Sequence, residues 1–247
     1  MKIYLYGLDL PYLNLNGVKR YIHDLTGIDI IIKDEFFKQY INEIIAEKIA
    51  YTRVLDHKKP FKKIKISYDD LLEELQLLEK PRIVDRLYDG YQFQLVTNEL
   101  LDEYAIHIIL SNRYLCTFDN NDYRYHLRSI IFGYPDIISI PGIVEAPAKP
   151  KEYYLMVYKY IMEGKRDDID KIKEIFKDRI IDYDYKINEI LKGLILQIIK
   201  YHLTGDPFCN NKRCKLYNAH WQEELISSQL NGYICSNDMK ILRSIMI

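Results

Sequence analysis

Three of the chain's four cysteines, Cys209, Cys214 and Cys235, fall within 27 residues, next to His202, His220 and Asp238. Thiolates joined by an imidazole or a carboxylate are the donor set of a tetrahedral zinc site, which is commonly built from two short knuckles. Cys209-x4-Cys214 makes one knuckle, and Cys235-x2-Asp238 makes the second. The fourth ligand stays open between two residues: Asp238 has the spacing, and His220 has the commoner ligand chemistry. The competing arrangement is a disulfide from Cys209 to Cys214, which closes a short loop and leaves Cys235 unpaired. Clustered cysteines in an intracellular chain favour metal, so a structural zinc is the expected cofactor.

Other residues nearby carry acid and base chemistry. His202 is a candidate acid/base group or ligand, although a histidine at a helix C-terminus also interacts favourably with the last carbonyls. His220, Glu223 and Glu224 stand at i, i+3 and i+4 of an expected helix. With His202 they compose a second metal set, which would suit a metal-dependent hydrolase. The same pattern arises where Asn218 caps that helix and the glutamates complement its N-terminal dipole. Glu145 is the only carboxylate in the Pro-rich segment PGIVEAPAKP, which makes it either an acid/base candidate on an ordered loop or a solvated glutamate. Cys116, within RYLCTF, reads as a small apolar strand residue.

Positioning such side chains requires a scaffold, and the patterning supplies one. KIYLYG at 2–7 and IDIIIK at 28–33 read as strands flanking a helix at 16–26 that Gly27 stops, which is a βαβ unit. The second run is unbroken enough to suggest burial on both faces. A long helix is expected from a cap at Asp34 to about residue 57, with Phe37, Ile41, Ile44, Ile45 and Ile49 on its apolar stripe. Ser67 and Asp70 signal a capping box for a further helix ending before Pro81. Between residues 105 and 140 the character turns to short β-rich runs, read as a hairpin and a further strand. The prolines of 141–150 then predict a strap with neither helix nor central strand. Helices follow at 151–163, 168–182, 184–204, 219–230 and 237–245. The expectation is one α/β domain over 1–247, a mixed sheet packed with helices. Residues 1–150 hold the sheet, and 151–247 are helical with the cysteine cluster.

Composition excludes several classes. Thirty-five basic residues balance 36 acidic ones, and the formal net charge of −1 gives nucleic acid no general attraction. A binder of that kind would need a local patch; DYRYHLRS at 122–129 mixes aromatic and basic residues but fits alternating strand faces equally well. No apolar stretch reaches membrane-spanning length, so the chain reads as cytoplasmic, with no membrane partner.

Setting Cys209 on the last cysteine of the pattern HExxHxxGxxHC puts Gly205 on its glycine and His202 on its second histidine. In this register the region resembles the C-terminal part of archaemetzincins, zinc peptidases in which that cysteine opens a four-cysteine structural zinc site. RSIIFGYPDIISIPGIVEAP at 128–147 resembles the segment preceding their active helix. The run YHLTGDPFCNNKRCKLYNAHWQEEL is similar to an archaeal group of metallopeptidases related to them. The resemblance implies a zincin-like, metzincin-related fold. It also exposes a loss, because Ile198, Ile199 and Phe208 occupy the positions of the first histidine, the glutamate and the third histidine. Hydrocarbon offers a cation no electron pairs, so peptidase chemistry by the usual route is not expected. The implied role is a binding module that takes a peptide or protein at a sheet edge.

Overall fold

A computed structural model describes residues 2–101 and 104–244. Its chain divides into two units, Met1–Ala146 and Pro147–Ile247.

In the first unit, β1 (Ile3–Tyr6), α1 (Leu15–Thr26) and β2 (Ile30–Lys33) form the expected βαβ, with Ile3 opposite Ile30 in parallel register. Asn14 caps α1 through its side chain, and Gly27 ends it at φ 70°, a left-handed conformation that glycine adopts without a Cβ penalty. The chain continues through α2 (Glu43–Ala50), α3 (Tyr68–Glu79), β3 (Leu87–Asp89) and α4 (Gly90–Asn98). Then come β4 (Ile106–Ser111), β5 (Tyr114–Asp119), β6 (Arg124–Leu127), β7 (Ile130–Ile131), β8 (Asp136–Ser139) and α5 (Ile140–Glu145).

Two sheets result, one of five strands in the order β2-β1-β4-β8-β7 and one of three in the order β3-β5-β6. Both are mixed, since β7 joins β8 and β6 joins β5 antiparallel while the other pairs are parallel. The strands buried along their whole length are β4 and β8. By contrast β2 is an edge strand with Ile31 39% exposed, so its β-branched run reflects strand propensity rather than burial on both faces.

Two sequence expectations fail. The helix expected over 34–57 is instead a 3-10 turn at Phe36–Gln39 followed by α2, because Asn42 caps a new start by accepting from Ile45 N at 3.0 Å. Phe36, Phe37, Ile45 and Ile49 still reach the core with Tyr88 and Phe93, but Ile41 and Ile44 are exposed. The Pro-rich segment does contain a helix, α5: Ser139 caps it, and Pro141 lies in its first turn, where a missing N–H costs nothing. Gly142 is required there, since a Cβ would meet the Arg128 carbonyl oxygen at 2.2 Å. From the sequence no element is assigned to the segment of α4, which Asp89 caps.

One carboxylate gathers much of this unit. Glu74 of α3 is fully buried and accepts from Arg53 Nε at 2.8 Å, Arg113 Nη2 at 3.0 Å and the Tyr88 hydroxyl at 2.6 Å. The capping box of Ser67 and Asp70 starts that helix as the sequence predicts, and Asp70 also accepts from Arg53 at 2.8 Å.

The second unit is helical: α6 (Lys151–Met162), α7 (Ile169–Ile175), α8 (Lys186–Thr204), α9 (Gln222–Leu225) and α10 (Ser236–Arg243). Tyr153, Ile172, Phe176 and Ile180 pack one of its cores, and α7 stops short of the expected 182. Along α8, eleven residues between Ile187 and Lys200 are buried, and Gly205 ends it at φ 77°. The helix expected over 219–230 starts at Gln222 with no side-chain cap from Asn218 and passes into a π-helical turn at Ile226–Leu230. Residue 245, the expected end of the last helix, lies outside the described residues. No helix among the described residues is long and apolar enough to cross a membrane.

Candidate metal centre

Two tight reversals in the second unit bring the thiols together. In the first, Cys214 N donates to the Asn211 carbonyl at 2.9 Å, Arg213 N to Asn211 Oδ1 at 3.0 Å, and Cys209 N to the Leu216 carbonyl at 2.9 Å. In the second, Cys235 is the N-cap residue of α10 and Asp238 lies in the helix's first turn. Lys215 N donates to the Tyr233 carbonyl at 2.8 Å and Tyr233 N to the Arg213 carbonyl at 3.1 Å, which holds the reversals side by side.

Cys209, Cys214, Cys235 and Asp238 each bring one ligand atom within 4.8 Å of all the others. Cys209 Sγ and Cys235 Sγ lie 3.7 Å apart, and Asp238 Oδ2 accepts from Cys235 at 3.0 Å and from Cys214 at 3.3 Å. A tetrahedral site with Zn–S bonds of about 2.3 Å has an S···S edge of about 3.8 Å. The donor set and its spacing therefore fit a zinc ion, and the cysteines are free thiols rather than a disulfide.

The electrostatics lean toward a cation. Burial works to raise the Asp238 pKa, but hydrogen bonds from the three thiols and from Lys200 outweigh it and hold the carboxyl below its usual range. Burial pushes the Cys209 and Cys214 thiols up, reinforced by the Asp238 carboxylate. Lys200, on α8, is itself buried; its ammonium lies 3.2 Å from Asp238 Oδ1 and donates to the Phe208 carbonyl. One oxygen of Asp238 thus faces the thiols and the other faces a lysine.

The remaining candidates do not join this cluster. His220 is exposed, and its imidazole is not among the converging ligand atoms. No three of His202, His220, Glu223 and Glu224 bring ligand atoms within 4.8 Å of one another. Glu223 pairs with Arg179 at 2.8 Å, and Glu224 accepts from His220 N at 3.1 Å, so both carboxylates serve local structure. His202 is exposed near the end of α8, its ring edge-on to Tyr201. On the same helix Ile198 and Ile199 are fully buried. Glu145, exposed at the last residue of α5, belongs to no converging group. Cys116 is buried in β5, as the sequence suggests.

A family model described as a probable metallopeptidase family, DUF6775, matches residues 1–245. The chain belongs to the DUF6775 family. Among solved structures, this DUF6775 member is similar to archaemetzincin from Methanopyrus kandleri, at 11% identity and a TM-score of 0.50, covering 100% of this chain and 95% of that one. It also matches a zinc-dependent peptidase from Methanocorpusculum labreanum at 14% identity and a TM-score of 0.41, covering 98% of this chain and 100% of that one. No curated protein matches it. The fold of this DUF6775 chain is thus the archaemetzincin type that its sequence resembles.

Sequence reasoning missed Lys200. The signal was present, since a lysine inside the apolar run LILQIIKY must either snorkel or find a buried anion.

Proposed function

We propose that this DUF6775 chain is a non-proteolytic relative of zinc peptidases, in which Cys209, Cys214, Cys235 and Asp238 hold a structural zinc and the protein binds polypeptide without cleaving it. The observation that carries this reading is on α8. Ile198 and Ile199, at the positions of the catalytic histidine and glutamate, are fully buried hydrocarbon. A catalytic zinc needs nitrogen or oxygen donors, an open coordination position and a base for its water, and neither isoleucine offers any of these. Zinc at the thiol cluster would be four-coordinate and closed, which suits folding rather than catalysis. Support for peptide binding comes from the edge strand β2, since an extended segment can add to a sheet edge through main-chain hydrogen bonds.

The test combines metal analysis with a proteolysis assay on an unstructured polypeptide. One zinc per chain, lost in Cys209→Ser and Cys214→Ser but kept in His202→Ala, together with no cleavage, is the expected result. A second zinc that depends on His202 or His220, or cleavage abolished by His202→Ala, would overturn the reading.

A further inference from the structure

Neither the metal centre nor the core accounts for the lysines that follow Asp56. Residues 54–66, VLDHKKPFKKIKI, carry five lysines and a single carboxylate in a chain whose formal net charge is only −1. This segment contains no helix or strand, and it folds around a cavity of about 400 Å³ in the first unit. Phe61, Ile64 and Tyr125 give the cavity an apolar wall, and Lys59, Lys62 and Lys65 line it with charge. Tyr125 N donates to the His57 carbonyl at 2.8 Å, which ties the loop to β6.

The state of each cation matters more than their number. Arg53 also borders the cavity, but its guanidinium is spent on Glu74 and Asp70. Lys59 pairs with Asp56 at 3.0 Å, and Lys63 sits over the Tyr51 ring at 4.1 Å. Lys58, Lys62 and Lys65 make no ion pair among the described residues. Several ammonium groups held near one cavity repel one another and focus a positive potential that a bound anion would relieve.

We propose that this cavity binds single-stranded nucleic acid, with one base against Phe61 and the phosphates on the lysine rim. The choice of anion follows from the side chains. The arginine fork meets carboxylate and phosphate alike, but the one arginine at the cavity is already engaged, so the aromatic wall beside the lysines decides the choice. Lysine acts as a point charge and suits phosphate, while an aromatic face stacks on any base. The volume lies at the lower end of small-ligand sites, enough for a nucleobase. The overall charge balance concealed this patch, because the compensating acids lie elsewhere in the sequence.

The probe is a fluorescein-labelled oligothymidylate of about 12 nucleotides, with anisotropy read on the full chain from about 50 to about 200 mM salt. Affinity should fall with salt by roughly 0.7 of a decade per decade for each phosphate neutralised. The double variant Lys62→Gln/Lys65→Gln, at exposed positions, should bind more weakly and flatten that slope by about 1.4. Phe61→Ala should weaken binding roughly tenfold while leaving the slope unchanged. No binding at the lowest salt, or equal binding by all variants, would overturn the proposal. So would displacement of the probe by poly-glutamate at matched charge, which would mark a surface for acidic polypeptide instead.

Discussion

The Lys200 ammonium stands 3.2 Å from Asp238 Oδ1 with both side chains buried, and the other oxygen of that carboxylate contacts Cys214 and Cys235. Three thiolates and a carboxylate around a divalent cation leave two negative charges in a buried place, and Lys200 offsets one of them. Lys200→Met should therefore lower zinc affinity by about 10- to 100-fold, read by competition with a chromophoric chelator. Unchanged affinity would show that the lysine only packs.

Zinc uptake should depend steeply on pH. Burial, reinforced by Asp238, raises the Cys209 and Cys214 thiols, so they carry protons at neutral pH that a metal must displace. Affinity should rise with pH by about one decade per unit for each proton these two thiols release. Calorimetric titration in two buffers of different ionisation enthalpy counts those protons, and a count of zero would refute this account.

Glu35 sets a second pH dependence, this one on stability. Burial raises its pKa from 4.5 to about 6, with Arg113 and Lys38 offsetting only part of the shift. Between those values the folded chain keeps a proton that the unfolded chain has released, so stability falls as pH rises through that window and then levels off. Urea midpoints measured across the window should show the step, and Glu35→Gln should abolish it.

Removing the carboxylate shared by Arg53 and Arg113 should be costly. Glu74→Leu leaves the buried Arg113 guanidinium without its carboxylate and Arg53 with only Asp70 and Glu73, a loss that typically costs about 3–5 kcal/mol. The double variant Glu74→Leu/Arg113→Met should lose less than the sum of the single losses, as a double-mutant cycle on urea denaturation would report.

Local signals in the sequence translated well where one residue decides a local geometry. Gly27 and Gly205 end helices in left-handed conformations, and Ser67 with Asp70 forms the capping box. The opening βαβ was legible for the same reason, since its period changes sharply at each boundary. Long-range choices were not. Nothing in IDIIIK tells an edge strand from a central one, because that depends on which strands pair with it. The helix expected over 34–57 broke because the Asn42 cap outcompeted continuation. At the thiol cluster, spacing named Cys209, Cys214 and Cys235 and left the fourth ligand open between Asp238 and His220, and the structure brings Asp238 to the three thiols. Lys200 and the burial of Ile198 and Ile199 needed the folded helix, because a charge on an apolar face does not reveal its partner.

The position of Glu74 has a further consequence for motion. Its partners come from three other stretches of chain: Arg53 after α2, Tyr88 in β3 and Arg113 just before β5. None of these can peel away alone without stranding a charge or a hydroxyl out of water, so partial openings that spare the rest of the unit are penalised. Amide protons of α3, β3 and β5 should then exchange through one shared opening, as members of a single cooperative block rather than as independent fraying segments.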